Sequence, residues 1–160
     1  MLRDAGIPMR ERTSGAGILH WKMMLFVGQN TVEFSGANYS AEAFVPVTPY
    51  SNYVDEVIYF TQRGSIVDSF KTRYDDQWVS TSGYANYANV VGTPTRKYPT
   101  YPIDPEMNFP PGNSFATRSV QRYNAETLRI DAIMYRITDR RHTDADRKST
   151  RLNSSHVSES

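Results

Sequence analysis

His20 and Lys22 stand two residues apart in the run ILHWKMMLFV, which is otherwise apolar, and the polar sequence SGANYS follows at positions 35–40. In an extended strand, residues i and i+2 emerge on the same side. An imidazole and an ammonium would therefore leave a core-like segment together. Burying two such groups costs free energy unless something polar or anionic meets them. The first class of ligand this pair calls for is an anion.

Taken by itself, His20 has four readings: nucleophile, general base, metal ligand or core histidine. A metal site needs further ligands at suitable geometry, and the other two histidines, His142 and His156, lie far along the chain in weakly patterned sequence. An isolated HxK is most simply a half-buried strand whose polar groups are satisfied. Asn38 and Glu56 change that weighing. An imidazole acting as a nucleophile needs a carboxylate to set its tautomer and to steady the positive charge that develops. Glu56 can supply it, with the adjacent Asp55 as the weaker claimant. Lys22 can neutralise one phosphate oxygen while the Asn38 amide donates to another. Together these parts describe attack on a phosphodiester through a phosphohistidine, with a separate group protonating the departing alkoxide.

The stretch HWKMMLFVGQNTVEFSGANYS, with NYVDEVIYF behind it, resembles the phospholipase D superfamily, whose signature is HxK, a downstream Asp and a GSxN or GGxN turn. His20 falls on the family's nucleophilic histidine, Lys22 on its phosphate-binding lysine and Asn38 on the asparagine of the turn, written here SGAN. Glu56 falls where a carboxylate of the family supports the histidine. The resemblance departs in two places. The family's Asp would fall at Val27 or Gly28, and the interval from His20 to Asn38 is one residue longer than usual, as in a slipped or bulged hairpin.

The resemblance implies an α/β fold: an incomplete phospholipase D-like lobe with a mixed β-sheet flanked by helices. It implies a phosphodiesterase that needs no metal or cofactor. A phospholipid at a membrane surface is the favoured substrate, and nucleic acid the less favoured one. The alternative from another class is a phosphate-binding or structural module that kept the fold without the activity. Because such enzymes build one site from two motifs, a second lobe of the same parent chain is the implied partner, and this chain alone is expected to be catalytically weak or inert.

Positioning these residues requires ordered elements, and the apolar pattern is uneven. Residues 1–79 carry nearly all of it and read as the C-terminal part of a first lobe. Residues 80–125 form a connector rich in Tyr, Pro and Gly, 126–145 the start of a second lobe, and 146–160 a tail without apolar periodicity, expected to be disordered. Within the first segment, 7–10 reads as a short strand, 18–27 as an apolar strand, GQN as a turn and 31–34 as the hairpin partner. That pairing would put His20 and Lys22 on a strand and Asn38 just beyond the next strand's end. Residues 55–61 read as a third strand. Ile66, Phe70, Tyr74 and Trp78 recur every four residues and predict a helix, with Ser65 as N-cap and Asp68 three residues on. Residues 128–137 read as a further strand.

The 160-residue chain is 39% hydrophobic, enough to build a core. A formal charge of +1 gives no general electrostatic case for nucleic acid. The absence of cysteine excludes disulfides and thiolate metal sites. No apolar run reaches the roughly 18 residues of a membrane span, and the first residues lack the apolar stretch of a secretory signal, which leaves the compartment open. RDAGIPMR resembles a helix end followed by a strand and implies sequence upstream. RKSTRLNSSH resembles translated adaptor sequence joined near Asp146, in which case His156 carries no functional meaning.

Overall fold

The structure is a computed structural model and describes residues 1–13, 15, 17–40, 43, 56–134, 139–142, 144 and 155–158. They fall into two compact units, Met1–Met107 and Asn108–Ser160. The first is a small mixed α/β body in which a helix flanks a β-sheet.

Its centre is a three-stranded antiparallel sheet of β2 (Lys22–Phe26), β3 (Thr31–Ser35) and β4 (Ile58–Thr61), in that spatial order. The hairpin between β2 and β3 pairs Lys22 with Ser35 and Phe26 with Thr31 with no shift of register. The bulged or slipped hairpin expected from the His20 to Asn38 interval is therefore not found between Lys22 and Ser35. That connection is the single 3-10 turn Val27–Gln29, closed by Asn30 in the left-handed region at φ 47°, a conformation Asn tolerates better than most residues.

The strand expected over 18–27 is shorter at both ends. At its start, the partner strand ends at Ser35, so the ladder stops at Lys22 and His20 precedes the strand. The third strand likewise begins at Ile58, two residues after Glu56. Asp55 lies outside the described residues.

The predicted helix is present as α1 (Gly64–Trp78). Phe70 is buried and packs on the sheet through Phe34 at 4.9 Å and Trp21 at 5.9 Å between ring centroids. Phe34 stacks in turn on Tyr59, its cross-strand partner, the kind of pair that stabilises a sheet. Val32 and Val67 complete this core and are fully buried.

Ser65 does not cap the helix. Arg63 occupies the N-cap without a side-chain bond, and the Ser65 hydroxyl donates instead to Asp104 Oδ2 at 2.5 Å. Asp104 thus brings a carboxylate to the helix N-terminus from a distant segment, where the helix dipole favours it.

The connector is more ordered than its composition suggests. Tyr84–Ala88 forms β5, which pairs antiparallel with β1 (Met9–Arg12) in a second sheet. Residues 96–104 are stitched to α1 by a polar stripe spaced three apart. Ser69 Oγ accepts from Asp104 N at 2.7 Å, Thr72 Oγ1 from Tyr101 N at 2.8 Å, and Asp75 Oδ2 from Lys97 N and Tyr98 N at 2.8 and 2.7 Å. All three helical side chains are buried.

In the second unit, α2 (Phe115–Ala125) begins at Ser114, whose hydroxyl accepts from Thr117 N. His142 is buried against the rings of Phe115 and Tyr123, making it a core histidine there. The strand expected over 128–137 is β6 (Asp131–Met134), with 135–138 outside the described residues. The tail was expected to have no partner, yet Ser155–Ser158 forms β7 and pairs in parallel with β6. Residues 146–154 lie outside the described residues.

Candidate functional site

The register of the three-stranded sheet decides where the four candidate residues lie. Lys22, Ser35 and Ile58 form its last row. His20 comes two residues before Lys22, Asn38 three after Ser35 and Glu56 two before Ile58, so all four belong to one end of one sheet. Lys22 is itself held by strand pairing, while His20, Asn38 and Glu56 sit in the adjoining loops, an arrangement in which a rigid scaffold commonly presents chemistry.

Side-chain alternation divides the sheet into two faces. Trp21 and Phe34 turn towards α1. Lys22 alternates with Trp21 and belongs to the opposite face, with Ser35 directly across from it. Lys22 is half-buried, whereas His20 and Asn38 are exposed. Among the described residues, no hydrogen bond partner is found for the His20 ring or the Asn38 side chain, which leaves both open to a ligand.

The Glu56 carboxylate has a different neighbour from the one expected. Its Oε1 accepts from Val57 N at 3.0 Å, and its Oε2 lies 3.3 Å from the point where a Cβ would stand on Gly36. The missing side chain at Gly36 is what lets the carboxylate approach the turn that leads to Asn38. Among the described residues, no hydrogen bond or ion pair joins Glu56 to His20. Glu56 thus lies at the same end of the sheet as the other three candidates, with its carboxylate against Gly36 at the start of the turn that leads to Asn38.

Glu33 and Tyr39, near this end, lie outside the four candidate residues. Glu33 lies two positions before Ser35 on the Lys22 face and is only 3% exposed. Its Oε2 accepts a hydrogen bond from the Tyr39 hydroxyl at 2.5 Å. Burial raises the Tyr39 phenol above its ordinary value, and the hydrogen bond to Glu33 and that residue's charge add to the rise. The signal in the sequence was Glu33 itself, an acidic residue inside the alternating strand TVEFS.

A cavity of about 390 Å³ lies on the helix side of the sheet, lined by Leu19, Trp21, Met23, Tyr74, Trp78 and Tyr84 among others. None of the four candidates lines it. Among the described residues, no group of three His, Cys, Asp or Glu converges as a metal site, and no helix is long and apolar enough to cross a membrane. No protein-family model matches the chain, and no curated protein or solved structure matches it either.

Proposed function

We propose that residues 1–79 carry half of a phosphodiesterase site of the phospholipase D type, with a phospholipid as the favoured substrate. The observation that supports this reading is the shared end of the sheet: a histidine, a lysine and an asparagine suited to attack on a phosphodiester belong to one sheet end, in the chain order of the motif they resemble. His20 is the nucleophile. A nitrogen lone pair of its neutral imidazole forms a bond to phosphorus while the bond from phosphorus to the departing oxygen breaks. Lys22 and Asn38 hold the non-bridging oxygens, and their interaction strengthens as charge builds there. Water then cleaves the phosphorus–nitrogen bond and restores the imidazole.

The alkoxide released in the first step takes a proton from a group that a second lobe supplies. An aryl ester whose phenolate is a stable leaving group bypasses that need. The test follows directly. The chain should release nitrophenolate from bis(4-nitrophenyl) phosphate slowly and leave an alkyl phosphodiester intact. Lys22→Ala should lower nitrophenolate release by about 10²–10³, the scale of losing one such electrostatic donor. Release that survives His20→Ala would defeat the reading. A second reading, a phosphate-binding module without turnover, rests on Val27 and Gly28 standing where the family's Asp would be. It predicts phosphate binding with no nitrophenolate released. In a site completed by a second lobe, cleavage of a nucleic-acid phosphodiester in preference to a phospholipid would reassign the substrate to the nuclease reading.

A further inference from the structure

The residue next to Asn38 is tied into the sheet by a bond that the phosphodiesterase reading does not require. We propose that Glu33 and Tyr39 form a latch that fixes the turn at 36–40 so that Asn38 presents its amide to a bound phosphate, which makes Tyr39 a positioning residue of the site. The proposal rests on the functional reading above.

Four observations support it. Glu33 is anchored in the middle of the sheet, paired with Met24 on one side and Phe60 on the other, so it cannot follow the turn if the turn moves. Its carboxyl group is buried, and among the described residues its second oxygen, Oε1, has no hydrogen-bond partner. The Tyr39 hydroxyl is therefore the donor on which that buried group depends, and a buried acceptor left without one is costly. Swinging the turn outward would break this bond.

The phenol is also held in its protonated form, so it remains a donor. The same turn is pinned elsewhere. Ser40 N donates to Asn38 O at 2.8 Å, and the Glu56 carboxylate fills the space above Gly36. The Asn38 backbone thus lies between Gly36, with the Glu56 carboxylate beside it, and Tyr39, bonded to the sheet, while its side chain stays exposed. A loop held this way presents its amide without first having to be ordered, and that preorganisation is what strengthens binding.

A double-mutant cycle on the full chain tests the latch, with inorganic phosphate as the probe and the His20 ring resonances as the reporter. The signals of the three histidines are told apart by the one that His20→Ala removes. Tyr39→Phe should weaken phosphate binding about tenfold, the scale of one hydrogen bond's worth of ordering. In an Asn38→Ala background, Tyr39→Phe should have almost no further effect, because the latch acts through Asn38. Glu33→Gln, which keeps an oxygen acceptor for the phenol, should stay near wild type. Unchanged amide spectra of α1 confirm that each variant folds.

Wild-type affinity in Tyr39→Phe would overturn the latch and leave the phosphate site standing. An equal loss in both backgrounds would also overturn it, by showing that the phenol acts independently of Asn38. If phosphate does not perturb His20 in the wild-type chain, the functional reading fails, and the latch fails with it.

Discussion

Removing the Asp75 carboxylate tests whether the polar stripe of α1 holds residues 96–104 in place. Asp75 is fully buried, and its Oδ2 accepts from both Lys97 N and Tyr98 N. Asp75→Ala leaves two donors without a partner. Hydrogen bonds to charged groups contribute about 1.5–3 kcal/mol each, and these two donors are only part-buried, so the lower end applies. The expected loss is about 2–4 kcal/mol. At roughly 5 °C per kcal/mol for a body of this size, the melting temperature should fall by roughly 10–20 °C.

Asp75→Asn separates charge from connectivity. Its carbonyl can still accept from both amides, but its NH2 group falls where Oδ1 now sits buried without a partner among the described residues. A loss of about 1–2 kcal/mol is expected. Urea unfolding gives the magnitudes, and hydrogen exchange at the Lys97 and Tyr98 amides locates them. If Asp75→Ala unfolds like wild type and those amides stay protected, the segment is held by something else.

Arg10 and Tyr39 offer two further tests. The Arg10 guanidinium donates to the carbonyls of Gln77, Trp78, Ser80 and Tyr84 and to the Asn86 side chain, placing a cation at the C-terminus of α1. Arg10→Lys keeps the charge but has three donors in place of the five-donor fork, so it should recover less than half of the about 2–4 kcal/mol lost in Arg10→Ala, as read by thermal melting. Because the Tyr39 phenol is shifted upward, its bond to Glu33 contributes fully below the ordinary tyrosine value and is lost only as pH rises through the higher folded value. An ultraviolet titration should therefore contain a phenol that ionises above the ordinary tyrosine range, and that component should disappear in Tyr39→Phe.

The parts of the fold that the sequence made legible are those built from local apolar pattern. The four-residue spacing from Ile66 to Trp78 marked α1, and the hairpin of β2 and β3 followed from two apolar runs around GQN. Elements held by distant polar partners were not legible. The chain YANYA becomes β5 only because β1 lies beside it, and Ser65 looked like a cap because nothing local announces Asp104 as its partner. The stripe of Ser69, Thr72 and Asp75 shows the same limit: its spacing is visible, but the backbone amides it binds lie more than twenty residues on. At the candidate site, residue types and spacing singled out four residues that the strand register places at one end of the sheet. They did not disclose that Glu56 would face Gly36, because that contact depends on where the loop before β4 returns to the sheet.

The most direct test of the central claim is covalent. After incubation with bis(4-nitrophenyl) phosphate and rapid quenching under alkaline conditions, where phosphoramidates survive, the chain should carry one nitrophenyl-phosphoryl adduct per molecule. Peptide mass analysis should place it on His20, and His20→Ala should abolish it while the fold persists. An adduct on another residue, an adduct that survives His20→Ala, or none at all while nitrophenolate is released would contradict the account.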